Sequence, residues 1–180
     1  MTGTEKSSTS YRVALGGIVS ALCVALMFLT GVLPALYIAA PMVAGMLMIV
    51  LRLEVSESWA WLTYLSVSLL ALIVTFDKEA ALMFILFFGY YPVLRPRMER
   101  IPGKVLRAVI RTVLFNVFLV IDYWLTVYVL GLPTFEDTLP AMYAVLIVTA
   151  NLLFFFYDKI LSRMDWYYKN IFMKKVMGRK

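Results

Sequence analysis

The chain of 180 residues contains no histidine, one cysteine and only 11 acidic residues. Each shortage removes a class of chemistry. Without His a His-dependent hydrolase cannot be built, and the single Cys23 permits neither an internal disulfide nor a multi-cysteine metal site. No G-x-x-x-x-G-K-[ST] stretch is present, so an in-chain ATPase does not fit. No Asp-x-x-Asp pair is available to hold a divalent ion against a phosphate-bearing lipid. The expectation is a protein that is not an enzyme and uses no metal or cofactor, with any energy for its work coming from elsewhere.

Charge is scarce as well. With 16% charged and 63% hydrophobic residues, the chain has too little polar surface for a water-soluble domain of this length. Six apolar stretches divide it: 13–33, 35–51, 59–76, 80–94, 105–132 and 139–157. Each approaches the length that crosses a hydrocarbon core of ~30 Å at ~1.5 Å per helical residue. The predicted fold is therefore an all-α integral membrane protein with six transmembrane helices.

The cations orient it. Of 17 Lys and Arg residues, only Lys78 falls on the predicted outer side. The inner side holds Arg52, then Arg95, Arg97, Arg100 and Lys104 with Arg107 and Arg111, and a tail from Lys159 to Lys180. Outer connections hold Asp77 and Glu79 around Lys78, and then Glu136 and Asp137. Short basic loops stay cytoplasmic, which places both termini inside the plasma membrane. The net charge of +6 is accounted for by orientation and by anionic lipids of the inner leaflet, with no need for nucleic acid.

Residues 1–10 read as a disordered cytoplasmic tail, 11–158 as the six-helix domain and 159–180 as a basic tail. In that tail Ile160, Leu161, Met164, Ile171, Phe172 and Val176 recur near helical spacing, which predicts an amphipathic cytoplasmic helix on the inner leaflet or against a partner. The first apolar run exceeds the usual core of a secretory signal, so it is read as a retained span. Pro41 is expected to kink the second span or leave its first turn irregular. Tyr90 and Tyr91 fit an interfacial belt, with the prolines after them ending the fourth helix.

One charged residue lies well inside a span. Asp122 stands roughly 12 Å below the outer end of the fifth stretch at ~1.5 Å per residue. A carboxylate at such depth costs at least ~2.5 kcal/mol on insertion scales, so it should face the bundle interior. Tyr123 and Tyr128 come after it, and the sixth stretch brings Tyr143 and Asn151. One acid among aromatic rings and amides suits a small polar or cationic aromatic ligand, and an equal alternative has Asp122 bonded to Asn151, Tyr143 or Lys78 as structural glue. Lys78 reads either as a local ion pair with Asp77 and Glu79 or as part of an outer lid that binds an anionic group.

The first span carries Ala14, Gly17, Ala21 and Ala25 on one face, where missing side chains let another helix approach. That stripe serves either packing within the bundle or docking of another protein. Six spans, two inside termini and the motif Ala21-Leu22-Cys23-Val24-Ala25 resemble the substrate-binding S component of energy-coupling factor vitamin transporters. The resemblance implies that the small-residue face contacts a separate transmembrane T component attached to two cytoplasmic ATPase subunits. It also implies a ligand pocket in the outer half of the membrane, which corresponds here to Asp122, Tyr123, Tyr128, Tyr143 and the turn from Gly31 to Tyr37.

The leading expectation is thus a subunit that captures a small, vitamin-like nutrient for uptake by an energised partner. A structural or regulatory membrane subunit without ligand, and an autonomous secondary transporter using Asp122 as a proton site, are the rival expectations. The topology predicts that, in a Cys23→Ala background, a cysteine at position 78 is labelled from outside by an impermeant thiol reagent. A cysteine at position 100 should stay unlabelled until the membrane is opened.

Overall fold

The structure, a computed structural model, describes residues 9–131, 140–168 and 170, apart from the side chains of 140 and 141. Seven α-helices occur among them: α1 (Thr9–Val32), α2 (Ala39–Glu54), α3 (Glu57–Val74), α4 (Lys78–Met83), α5 (Tyr91–Glu99), α6 (Lys104–Tyr128) and α7 (Pro140–Tyr167). A 3-10 turn, Pro34–Leu36, precedes α2, and a π-helical segment, Phe84–Phe88, separates α4 from α5. No strand is found among the described residues. Three helical stretches, Thr9–Val32, Glu57–Val74 and Met142–Tyr167, are long and apolar enough to cross a membrane. Leu69, Ile73 and Phe156 expose 66%, 79% and 66% of their surface, an apolar exterior that suits lipid and not water.

Two compact units divide the chain, Met1–Arg107 and Ala108–Lys180. In the first, the helical passes alternate in direction. At one end the Tyr11 hydroxyl of α1 donates to Glu54 of α2 at 3.4 Å, and Arg97 of α5 pairs with Glu57 of α3 at 2.6 Å. The other end brings Gly31 of α1 against the Phe76 side chain just beyond α3.

The core of this unit rests on small residues repeated at helical spacing. From α1 come Gly16, Val19, Cys23, Met27 and Thr30; from α2, Ala44, Met48 and Leu51; from α3, Ala60, Val67 and Ala71. Intervals of three, four and seven place each set on one helix face. The alanines let the axes approach closely, which is how helices gain packing energy when lipid is as apolar as they are. Cys23 occupies this core, its thiol directed to the Ala44 carbonyl at 3.4 Å.

Pro41 lies in the first turn of α2, where its missing N–H has no partner to lose. The fourth pass departs from expectation. It runs from Lys78 through the π-helical segment to Glu99, about 22 residues or ~33 Å. A turn at Gly89 and Tyr90 interrupts the pass where the sequence predicts its end, but Pro92 falls in the first turn of α5 and Pro96 inside it, so the helix resumes and continues to Glu99. The π segment adds a residue to one turn and rotates the remainder of the pass. Tyr91 is therefore fully buried and Tyr90 nearly so, stacked against Phe87 and Trp61 respectively and not displayed as an interfacial belt. Tyr64 of α3 donates its hydroxyl to the Ile85 carbonyl at 2.7 Å, which supplies a partner where the ladder is disturbed.

Thr9 and Ser10, inside the stretch read as a disordered tail, belong to α1; residues 1–8, and with them the rest of that tail, lie outside the described residues. The same holds for Glu136 and Asp137 and for residues 171–180 of the basic tail. In the second unit α7 continues past Asp158 to Tyr167, so the start of the tail, 159–167, extends the last span and forms no separate helix. No Pro or Gly interrupts that stretch.

Two glycines give contrasting outcomes. A Cβ at Gly89 would meet the Tyr64 ring at 2.7 Å and the buried Phe84 ring at 2.8 Å, whereas one at Gly17 meets nothing within 4 Å. Gly89→Ala should lower stability by about 1–3 kcal/mol through overpacking. Gly17→Ala should leave it unchanged or raise it by up to ~1 kcal/mol through helix propensity, both read by thermal unfolding in detergent.

Candidate functional site

In the second unit α6 and α7 form an antiparallel hairpin joined by polar and aromatic rungs. Arg111 Nη1 pairs with Asp158 Oδ2 at 3.0 Å, and both side chains are largely buried. Next, the Phe115 and Phe154 rings stack with centroids 4.7 Å apart. Beside them Asn116 and Asn151 exchange hydrogen bonds: Asn116 Nδ2 donates to Asn151 Oδ1 at 2.9 Å, and Asn151 Nδ2 donates back at 3.2 Å. Each amide also donates within its own helix, Asn116 to the Thr112 carbonyl at 2.8 Å and Asn151 to the Ile147 carbonyl at 2.9 Å. All four amide hydrogens are thereby engaged.

Beyond the amide pair the helices flank an open cavity of about 480 Å³, lined by Asn116, Leu119, Val120, Tyr123, Tyr143, Leu146, Ile147 and Ala150. Of the residues singled out from sequence, Tyr123 and Tyr143 meet here. Asn151 stands at the rim through its bond to Asn116 and not to Asp122, which removes one of the structural bonds expected for that acid.

Asp122 does not line the cavity, because consecutive helical residues point about 100° apart. It is half-buried one turn below Thr126 on another face of α6. Tyr128 is 72% exposed and packs on Trp124, with ring centroids 5.6 Å apart. Six lining residues were left out of the site by sequence reasoning, and Asn116 is the polar one among them. The signal for it was present: one amide in each of two facing spans.

The first unit holds the remaining candidates. Tyr37 comes directly after the 3-10 turn and packs, half-buried, against the core of that unit. Lys78 does not form the expected ion pair with Asp77 and Glu79. Its ammonium donates to the Leu72 and Thr75 carbonyls, both at 2.7 Å, and so closes the C-terminal end of α3, where a cation also meets the negative end of the helix dipole. Asp77 instead accepts from the Ala80 N–H at 3.1 Å and caps α4.

On α1 the small-residue stripe faces outward. Ala14, Gly17, Ala21 and Ala25 are exposed, while Gly16, Val19, Cys23, Met27 and Thr30 turn into the core. Beside the stripe runs a shallow groove of about 610 Å³, lined by Ser20, Ala21, Val24, Ala25, Phe28, Leu70 and Val74. Packing within the first unit is thus not what these small residues serve.

The amide pair predicts coupling. Asn116→Leu or Asn151→Leu alone should destabilise by about 1 kcal/mol, by analogy with hydrogen bonds between membrane helices. The double variant should lose clearly less than the sum, because it leaves no amide stranded. Losses that simply add, measured by thermal unfolding in detergent, would show the pair to be uncoupled.

No protein family, no curated protein and no solved structure matches the chain.

Proposed function

We propose that this chain is a membrane-embedded capture subunit that binds a small nutrient and is energised by a separate transmembrane T component with cytoplasmic ATPases. In this reading the four passes of the first unit and the two helices of the second make six spans of the plasma membrane, with both termini cytoplasmic. The cavity between α6 and α7 holds the ligand. Arg97, Arg100 and Lys104 meet anionic headgroups of the inner leaflet.

The observation that carries the reading is the outward face of α1. A helix that met only lipid would gain nothing from four small residues in register, whereas close approach of another helix needs that flat surface. The adjoining groove widens the surface, with Phe28 and Leu70 as apolar walls for a partner. The sequence carries no phosphate-binding loop of its own, which agrees with hydrolysis on other subunits.

Gentle purification of the tagged chain from its native membrane should recover a second multi-span protein together with ATPase subunits. Ala21→Leu combined with Ala25→Leu should abolish that association and leave the unfolding temperature unchanged, since both positions are exposed. Recovery of the chain alone from the same membrane would defeat the proposal and favour an autonomous or purely structural role.

A further inference from the structure

We infer, resting on the capture reading, that the α6–α7 cavity selects uncharged ring compounds carrying a hydrogen-bonding group, and rejects their cationic and anionic analogues. The cavity wall contains no Asp, Glu, Lys or Arg. Arg111 and Asp158, on the far side of the amide pair, are paired with each other at 3.0 Å. Asp122, the acid that had suggested a cationic ligand, does not line the cavity. A charged ligand would give up hydration here without meeting a counter-ion.

The polar groups of the wall narrow the class further. The amide hydrogens of Asn116 are both taken, one by the Thr112 carbonyl and one by Asn151, so Asn116 has no donor left for a carboxylate or phosphate. What it retains is acceptor capacity on Oδ1. Tyr123, 45% exposed, offers a hydroxyl that both donates and accepts. Tyr123 and Tyr143 also present ring surface, and the remaining wall of Leu, Val, Ile and Ala suits apolar area. About 480 Å³ falls within the roughly 300–1,000 Å³ usual for small-ligand sites. The cavity is open on one side, where Val120, Leu146 and Ile147 are at least half exposed.

Three probes share a ring and differ in charge: phenylacetamide is neutral, 2-phenylethylamine cationic and phenylacetate anionic at pH 7. Equilibrium dialysis of each against the full-length protein in phosphatidylcholine nanodiscs, with empty nanodiscs as the partition control, reads the selectivity. Phenylacetamide should bind at least about tenfold tighter than either analogue. Tyr123→Ala should weaken it about tenfold and Tyr123→Phe only a few-fold, because the phenyl ring remains. If Tyr123→Ala unfolds, Tyr123→Phe together with Tyr143→Phe decides the matter.

Tighter binding of the amine or of phenylacetate would overturn the charge selectivity while leaving the capture reading intact. Neutral binding indifferent to Tyr123 would mean simple partitioning and would also overturn it. If no probe binds above empty nanodiscs, the inference fails, and the co-purification experiment then decides separately whether the capture reading falls with it.

Discussion

Hydrocarbon offers no hydrogen-bond partner, and much of this structure results from the need to satisfy polar groups internally. At the connection from α3 to α4, at the end of the spans, Lys78 likewise closes one helix end and Asp77 the beginning of the next. Where the fourth pass loses its regular ladder, the Tyr64 hydroxyl reaches the Ile85 carbonyl. Where two amides face each other in the hairpin, they bond reciprocally and to their own helices. Each device uses a group close at hand. The polar groups at these three places are therefore committed to structure.

The second organising factor is side-chain size. α1 carries small residues on two faces, and the faces do different things. Gly16 and Cys23 sit where α2 and α3 press close, and a larger side chain there would push the axes apart. Ala14, Gly17, Ala21 and Ala25 are the same kind of residue on the opposite side, with no neighbour in the unit to explain them. A helix flattened on both sides is suited to be shared between its own bundle and another.

Much of the architecture was legible because hydropathy and charge act along the chain. The helical class and the breaks near Gly31–Pro34 and Asp77–Glu79 come from apolar run lengths and short connections. The π-helical segment was not legible, since nothing in Phe84–Phe88 distinguishes it from an ordinary turn. Its rotation of the residues beyond it is what turned Tyr90 and Tyr91 inward. The unbroken course of α7 through Asp158 was missed for a related reason. Arg111 on another helix answers that charge, and sequence order does not reveal the partner.

The site divides in the same way. Sequence by itself determined that the chain belongs among helical proteins with membrane-length apolar segments, and it brought out Tyr123, Tyr143 and the α1 stripe, because period and composition are local properties. Only the tertiary structure decided which residues face one another. It paired Asn116 with Asn151, turned Asp122 away from the cavity, spent Lys78 on a helix end and left the stripe on the outside. The physical reason is that a helix fixes the angle between its own residues, whereas the partner of each face is set by how separate helices pack.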